Sequence, residues 1–146
     1  MNHTLAPASR GARLGAVLLD ALIALLVFVP GLVLLVASDS DFGRGMGTAL
    51  MLIGWIAITA VQIVLLVKRG QSIGKIAVGV KIVRDKDDTT PGFVKIYLLR
   101  SLIPGLIGAV PYLGLIFALV DALFIFRDDR RCIHDLIAET RVVAVG

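Results

Sequence analysis

The stretch 14–37 constrains this chain more than any other. It is about 24 residues long and apolar, with a single carboxylate, Asp20, inside it. A helix of roughly 20 apolar residues crosses the ~30 Å hydrocarbon core of a bilayer, so the stretch reads as a transmembrane helix. Asp20 does not suit lipid, because an ionised side chain at the centre of a span costs at least ~2.5 kcal/mol. It is therefore expected to face protein. Ala12, Ala16, Asp20 and Ala24 recur at four-residue steps, and small residues at that spacing let a neighbouring segment come close. Arg13 shares this face but stands seven residues earlier, roughly 10 Å along the axis. That is too far for direct contact, so the partner of Asp20 is expected on another segment.

Composition agrees. The 146 residues favour one domain. They are 58% hydrophobic and 18% charged, where soluble domains are ~45–50% apolar and ~25% charged. The net charge of +4 fits the lysine and arginine bias of loops on the inner side of a membrane. No basic stripe alternates with aromatics, so a nucleic-acid partner is not expected. The single Cys132 excludes an intrachain disulfide framework. Arg10 and Arg13 ahead of the apolar run resemble the start of a signal peptide. The run is longer than a usual signal core and carries Asp20, so it reads as a retained helix.

In chain order, residues 1–10 read as a short polar tail in which Ser9 can cap the first helix. That helix covers about 10–37, with Pro30-Gly31 predicting a kink or loosened turn. Residues 38–45 read as a polar turn, and a second span of roughly 33 Å follows over 46–67. Gln62 in its last turns is expected to make an interhelical hydrogen bond. The segment 68–92 reads as cytoplasmic. Within it, Gly70-Gln-Ser-Ile-Gly-Lys75 has three residues between its glycines and Ile76 after the lysine, which excludes a phosphate loop. It reads instead as a tight turn into a short interfacial helix with Lys75 at the headgroups. Residues 78–84 and 140–145 have strand composition. A lone strand is unstable, so the two are expected to pair outside the membrane.

Residues 93–126 are apolar except for Lys95, Arg100 and Asp121, and are broken by Pro104-Gly105 and Pro111. They form either an interfacial helix plus one span, or a hairpin of two short membrane helices. Lysine and arginine placement decides between them. A hairpin leaves only Arg44 outside, whereas one span exports Arg127, Arg130, Arg131 and Arg141 and separates the two strands by a bilayer. The hairpin is preferred, with thin arms of about 15 residues. Gly114, Ala118 and Ala122 give its second arm a small-residue face. Arg100 is the natural partner for Asp20 or Asp121, since a buried ion needs compensation. The fold class is thus an all-α polytopic membrane protein: two full transmembrane helices, a Pro/Gly-broken hairpin and a small cytoplasmic two-strand β unit, followed by a cytoplasmic tail over 127–146.

Arg13 and Asp20 in the first helix, Gly70-Gln-Ser-Ile-Gly-Lys75, Val80-Lys-Ile-Val83, Arg100, and the ending His134-Asp-Leu-Ile-Ala-x-Thr140-x-Val-Val together resemble the RDD family of small prokaryotic membrane proteins. The resemblance runs in order along nearly the whole chain. It implies that Arg13 and Asp20 are the family's named arginine and first aspartate, and Asp135 the second. Glu139 stands where the family pattern carries glycine. The resemblance implies a prokaryotic membrane protein, and with the lysine and arginine placement the expectation is a multi-pass protein of the inner membrane with both termini cytoplasmic. Transport of unknown ligands has been proposed for the family, and some members look like cation/proton antiporters.

Two functional readings follow. In the first, the chain is a small ion-coupled transporter or cation/proton antiporter, a homo-oligomer moving an unknown ion or solute. Its charge network is Arg13, Asp20, Arg100, Asp121 and Gln62. In the second it is a structural or accessory membrane protein that binds a partner through its cytoplasmic face. The motif Gly70, Ser72, Gly74, Lys75, His134, Asp135 and Thr140 would build that face. His134-Asp135 reads either as a proton-handling pair or as a turn in which Asp135 caps a short helix. Cys132-x-His134 lacks the further ligands of a metal site. No nucleophile–base pair or metal set is visible, so neither an enzyme nor a cofactor is expected.

Overall fold

The computed structural model describes residues 5–127 and 131–145. Met1–Thr4 of the tail, Asp128, Asp129 and Arg130 of the C-terminal segment, and Gly146 lie outside the described residues. The chain is mostly helical, with two long apolar helices and a small two-stranded sheet.

Helix α1 covers Arg10–Ala37 and starts where Ser9 accepts the backbone N–H of Ala12 at 3.1 Å. It continues through Pro30 without ending. Helix α2 covers Asp41–Arg69, starting five residues before the expected 46 because Ser40 caps it through the N–H of Gly43 at 3.1 Å. The link 38–40 is thus only three residues, and the helices return antiparallel. Their closest approach is at glycines. A Cβ on Gly47 would lie 2.5 Å from the Leu35 nitrogen and 2.7 Å from the Gly31 oxygen, and one on Gly54 2.7 Å from Val27. Gly47 is buried at the crossing itself, whereas Gly43, also buried, lies against Ser38 and Ser40 of the link. Gly43 had been expected in the turn 38–45.

Both helices are long and apolar enough to cross a membrane. Their outer faces are exposed, with Leu14, Leu18, Leu26, Val33, Ile53 and Ile56 each more than half accessible. An apolar surface this extended is not left to water in a soluble monomer.

Gly70 ends α2 in the left-handed conformation (φ 68°), which glycine adopts without penalty. A Cβ there would also meet the Ile82 oxygen at 2.4 Å. Helix α3 (Ile73–Ala77) follows, capped by Ser72, and leads into strand β1 (Val80–Arg84). Strand β2 (Thr140–Ala144) pairs with β1 antiparallel, Val80 opposite Ala144 and Arg84 opposite Thr140. The "polar tail" contributes more than expected. Pro7 bridges Val143, Ala8 donates to the Val142 carbonyl at 3.0 Å, and Ala8 is fully buried. The sheet thus gains a third, one-bridge edge. Its core joins Ala8, Ala16, Val80, Ile82 and Val142.

The stretch 93–126 is a helical hairpin. A π-helix, Val94–Leu102, continues into α4 (Ile103–Gly108). A turn through Tyr112 at φ 63° leads to α5 (Leu113–Leu123), which closes in a short 3₁₀ turn, Phe124–Phe126. The π register has a local cause. Pro104 has no N–H for the Arg100 carbonyl four residues back, and its ring would crowd that carbonyl. Wider i→i+5 turns relieve the crowding, with Ile103 N–H donating to the Leu98 carbonyl. At the tip, Gly114 packs so closely that a Cβ would lie 2.4 Å from the Gly108 oxygen. Helix α6 (Ile133–Ile137) then turns the chain into β2. Glu139 in that turn has φ 51°, a left-handed value that glycine adopts more readily.

The glycine contact between α1 and α2 gives a direct test. Gly47→Leu is expected to lower stability by about 2 kcal/mol or more, because the clash is with backbone and no rotamer relieves it. Gly45→Leu, where nothing lies within 4 Å, is expected to stay within about 0.5 kcal/mol. Thermal unfolding of the two purified variants in detergent compares them.

Candidate functional site

Four helix ends meet the sheet at one end of the molecule. They are the start of α1, the end of α2 and both ends of the hairpin. The expected charged residues gather there in two clusters.

The first cluster is centred on Asp135. This carboxylate is fully buried and sits at the third position of α6. There it accepts the Cys132 backbone N–H at 3.3 Å and closes a capping box. Its oxygens also receive two guanidinium groups, Arg13 from α1 at 3.4 Å and Arg100 from the π-helix. Arg13 donates further to the Val142 carbonyl of β2 at 3.0 Å. Arg100 donates to the Thr140 hydroxyl at 3.0 Å, and that hydroxyl donates to the Asp135 carbonyl at 3.4 Å. One carboxylate thus ties α1, the hairpin, α6 and β2 together.

The second cluster is centred on Asp20. It receives the Ser72 hydroxyl at 2.5 Å, the Gly74 backbone N–H at 2.8 Å and the Gln62 amide at 3.0 Å. The Gln62 carbonyl oxygen accepts the Ile73 N–H at 3.3 Å. Here the expected charge pairing is corrected. Arg100 does not reach Asp20 or Asp121; it bonds Asp135 and Thr140. The reason is positional: the π-helix delivers Arg100 to the sheet, while α3 presents a hydroxyl and a free helix-end N–H directly to Asp20. The small stripe of α1 serves this same contact. Ala16 is fully buried, and a Cβ on Gly74 would lie 2.1 Å from its oxygen and 2.9 Å from the Asp20 carboxyl carbon. Gly74 is thus required by close approach, and the covering element is α3 instead of a spanning helix.

Asp121 turns to α6. It accepts the His134 backbone N–H at 2.9 Å and lies 2.6 Å from His134 Nδ1. His134 stands 3.7 Å from Asp135, so its close carboxylate is Asp121 and not its chain neighbour. Burial, with Arg100 and Lys75 nearby, holds the His134 pKa below its ordinary value even against Asp121. Donor atoms of Asp121, Cys132 and His134 lie within 4.8 Å of one another. The sequence spacing had offered only Cys132 and His134. Both Asp121 oxygens already serve His134, burial keeps the Cys132 thiol protonated by raising its pKa, and two guanidiniums stand close by. The set fits a structural cap better than a cation site.

A half-open cavity of about 470 Å³ lies against these clusters, between the start of α1 and the end of the hairpin. Arg10, Arg13, Lys75 and Arg100 line it, with Asp135 as its carboxylate. Arg10 forms the rim by donating to the Phe126 carbonyl at 3.2 Å and lying 5.2 Å from the Phe126 ring centroid. Lys75 donates to Ser72 at 3.4 Å and makes no ion pair among the described residues. Burial, and then repulsion from Arg100, bring its pKa from 10.5 to about 8, with Asp20 opposing and Arg13 adding to the shift. Sequence reasoning placed Lys75 at the headgroups; the structure places it in this cavity.

Two substitutions separate fastening from strain. Asp135→Asn leaves two buried guanidiniums facing each other without their carboxylate, and is expected to cost about 3–5 kcal/mol. Lys75→Met has the opposite sign. A lysine whose folded pKa is lowered penalises the fold fully below pH 8, and the penalty fades between pH 8 and 10.5. The substitution should therefore stabilise the protein by about 3 kcal/mol at pH 7, with a gain that shrinks as pH rises through that window. Chemical or thermal unfolding across pH 6–10.5 measures both.

The RDD family model matches residues 7–139. The chain is also 34% identical over 140 residues to a Bacillus subtilis (strain 168) protein named uncharacterized protein YckC, covering 93% of this chain and 83% of that one. No solved structure matches. The matched region contains the charged residues of both clusters and of the cavity lining, and ends one residue before Thr140, so Thr140 and Val142 lie beyond it. The chain belongs to the RDD family.

Proposed function

We propose that this chain is a multi-pass membrane protein with its sheet, α6 and both termini on the cytoplasmic side, acting as a non-transporting accessory module. Its two long helices and the hairpin sit in the bilayer. Its base offers a partner protein, or a second copy of the chain, a fixed surface. The topology is supported by the four helix ends that share one side and by the lysines and arginines gathered there, as the positive-inside rule requires.

One observation carries the accessory reading: the state of Asp20. Its carboxylate holds three donors from α2 and the α3 turn, two on one oxygen and one on the other. A relay group needs an oxygen open to the passing ion, and both of these are taken up by the chain itself. Asp20 instead joins α1, α2 and α3 as a fastener, and Asp135 does the same for the other elements.

Ion-coupled transport through Asp20 with Arg13 and Arg100 is the second reading. The cavity at Arg13 and Arg100 favours it as a route of entry. Four cations against one carboxylate oppose a cation there and suit an anion. Proteoliposomes distinguish the readings. The accessory reading expects wild-type proton flux, driven by sodium or potassium gradients, to equal that of empty vesicles. Flux above that level, lost in a folded Asp20→Asn variant, would establish transport.

A further inference from the structure

We propose that the half-open cavity between the start of α1 and the end of the hairpin binds the phosphate headgroup of an anionic phospholipid. The phosphate sits among Arg10, Lys75 and Arg100, and an acyl chain lies along Leu14, Val17 and Phe126. The inference goes beyond the accessory role but rests on the membrane topology proposed with it.

Three features point to this ligand. The first is charge. The lining carries four cations and one carboxylate, and burial lowers the pKa of the lining His134. Asp135 already receives Arg13 and Arg100, so it does not balance Lys75. Among the described residues Lys75 has a hydroxyl contact and no ion pair. An ammonium kept in such a place, at a cost visible in its lowered pKa, is what an anionic ligand would compensate.

The second is shape and polarity. A cavity of about 470 Å³ falls within the roughly 300–1,000 Å³ of small-molecule sites. Its open side is apolar, with Leu14, Val17 and Phe126 each more than half accessible. A free inorganic anion would satisfy the cations and leave that wall bare. A molecule with a phosphate at one end and hydrocarbon at the other covers both.

The third is position. Leu14 and Val17 belong to the first turns of α1, directly above Arg10 and Arg13 at the sheet, and Phe126 closes the hairpin at the same level. The apolar wall is continuous with the outer faces of the helices. This is the depth at which basic pockets between membrane helices meet lipid headgroups.

The test uses the full-length protein, purified in detergent and stripped of lipid. It is titrated with dioleoylphosphatidylglycerol, dioleoylphosphatidylcholine and inorganic phosphate, with binding read by native mass spectrometry and by the rise in Tm. Phosphatidylglycerol is expected to bind and stabilise, whereas phosphatidylcholine and inorganic phosphate do neither. Lys75→Met and Arg10→Gln should each weaken phosphatidylglycerol binding about tenfold, and Lys86→Gln, in the remote exposed loop, should leave it unchanged. Lys75→Met is informative because it is expected to fold more stably than wild type, so lost binding cannot be lost structure. Equal binding of the two lipids, or full affinity in both Lys75→Met and Arg10→Gln, would overturn the assignment. Inorganic phosphate matching the lipid would make the cavity a site for a soluble anion and likewise overturn it. The readout is independent of ion flux, so it stands or falls apart from the accessory reading.

Discussion

The buried carboxylate of Asp135, held between two guanidiniums, is the contact on which the arrangement depends. Neither arginine is stable alone in so enclosed a place, because desolvating a charge costs several kcal/mol unless a partner and further hydrogen bonds replace water. Asp135 supplies the partner, and the carbonyl of Val142 and the hydroxyl of Thr140 supply the rest. The geometry is over-determined, since the carboxylate also caps the helix that carries it. The five-residue α6 is too short to persist by itself, so the charge cluster and the helix stabilise each other.

Asp20 plays the matching role for the other half of the molecule. It draws in the Ser72 hydroxyl and the Gly74 N–H, and so fixes α3 against α1. Gln62 reaches across from α2 to the same oxygen. The charges thus divide between two fasteners: Arg13 and Asp135 bond each other, and Asp20 bonds polar neutral groups. The excess positive charge that results is concentrated around the cavity. There Lys75 stands beside Arg100 and makes no ion pair among the described residues.

Much of this was legible beforehand. The two long helices, the pairing of the strands near 80–84 and 140–144, the short helix after Ser72 and the break near Pro111 all follow from apolar run length, β-branched composition and proline placement. The start of α2 was misread because Gly43 and Gly45 stand in a polar run that looks like a turn. Gly43 packs against Ser38 and Ser40 of the link, a contact that only the folded connection makes evident. The tail near Ala8 looked polar because its apolar residues are few, yet two backbone bonds to the sheet suffice to bury it. Within the candidate site the expected residues lie in or beside the two clusters, except Gly70, which ends α2 against Ile82. The pairings differ: Arg100 was assigned to Asp20 or Asp121 and bonds Asp135.

The local features determined by the sequence are those that depend on neighbours along the chain: an apolar run long enough for a membrane, a capping serine, a proline that forces wider helical turns, a glycine that ends a helix. The tertiary structure alone decided which charges meet. Arg13, Arg100 and Asp135 are separated by 87 and 35 positions, and their meeting depends on the rotation and register of three helices, set by glycine contacts away from the charges and by the π-helical stretch that carries Arg100. A buried ion selects the nearest partner in space. Spacing along the chain determines that partner only when both residues lie on one helix, and none of these pairs does.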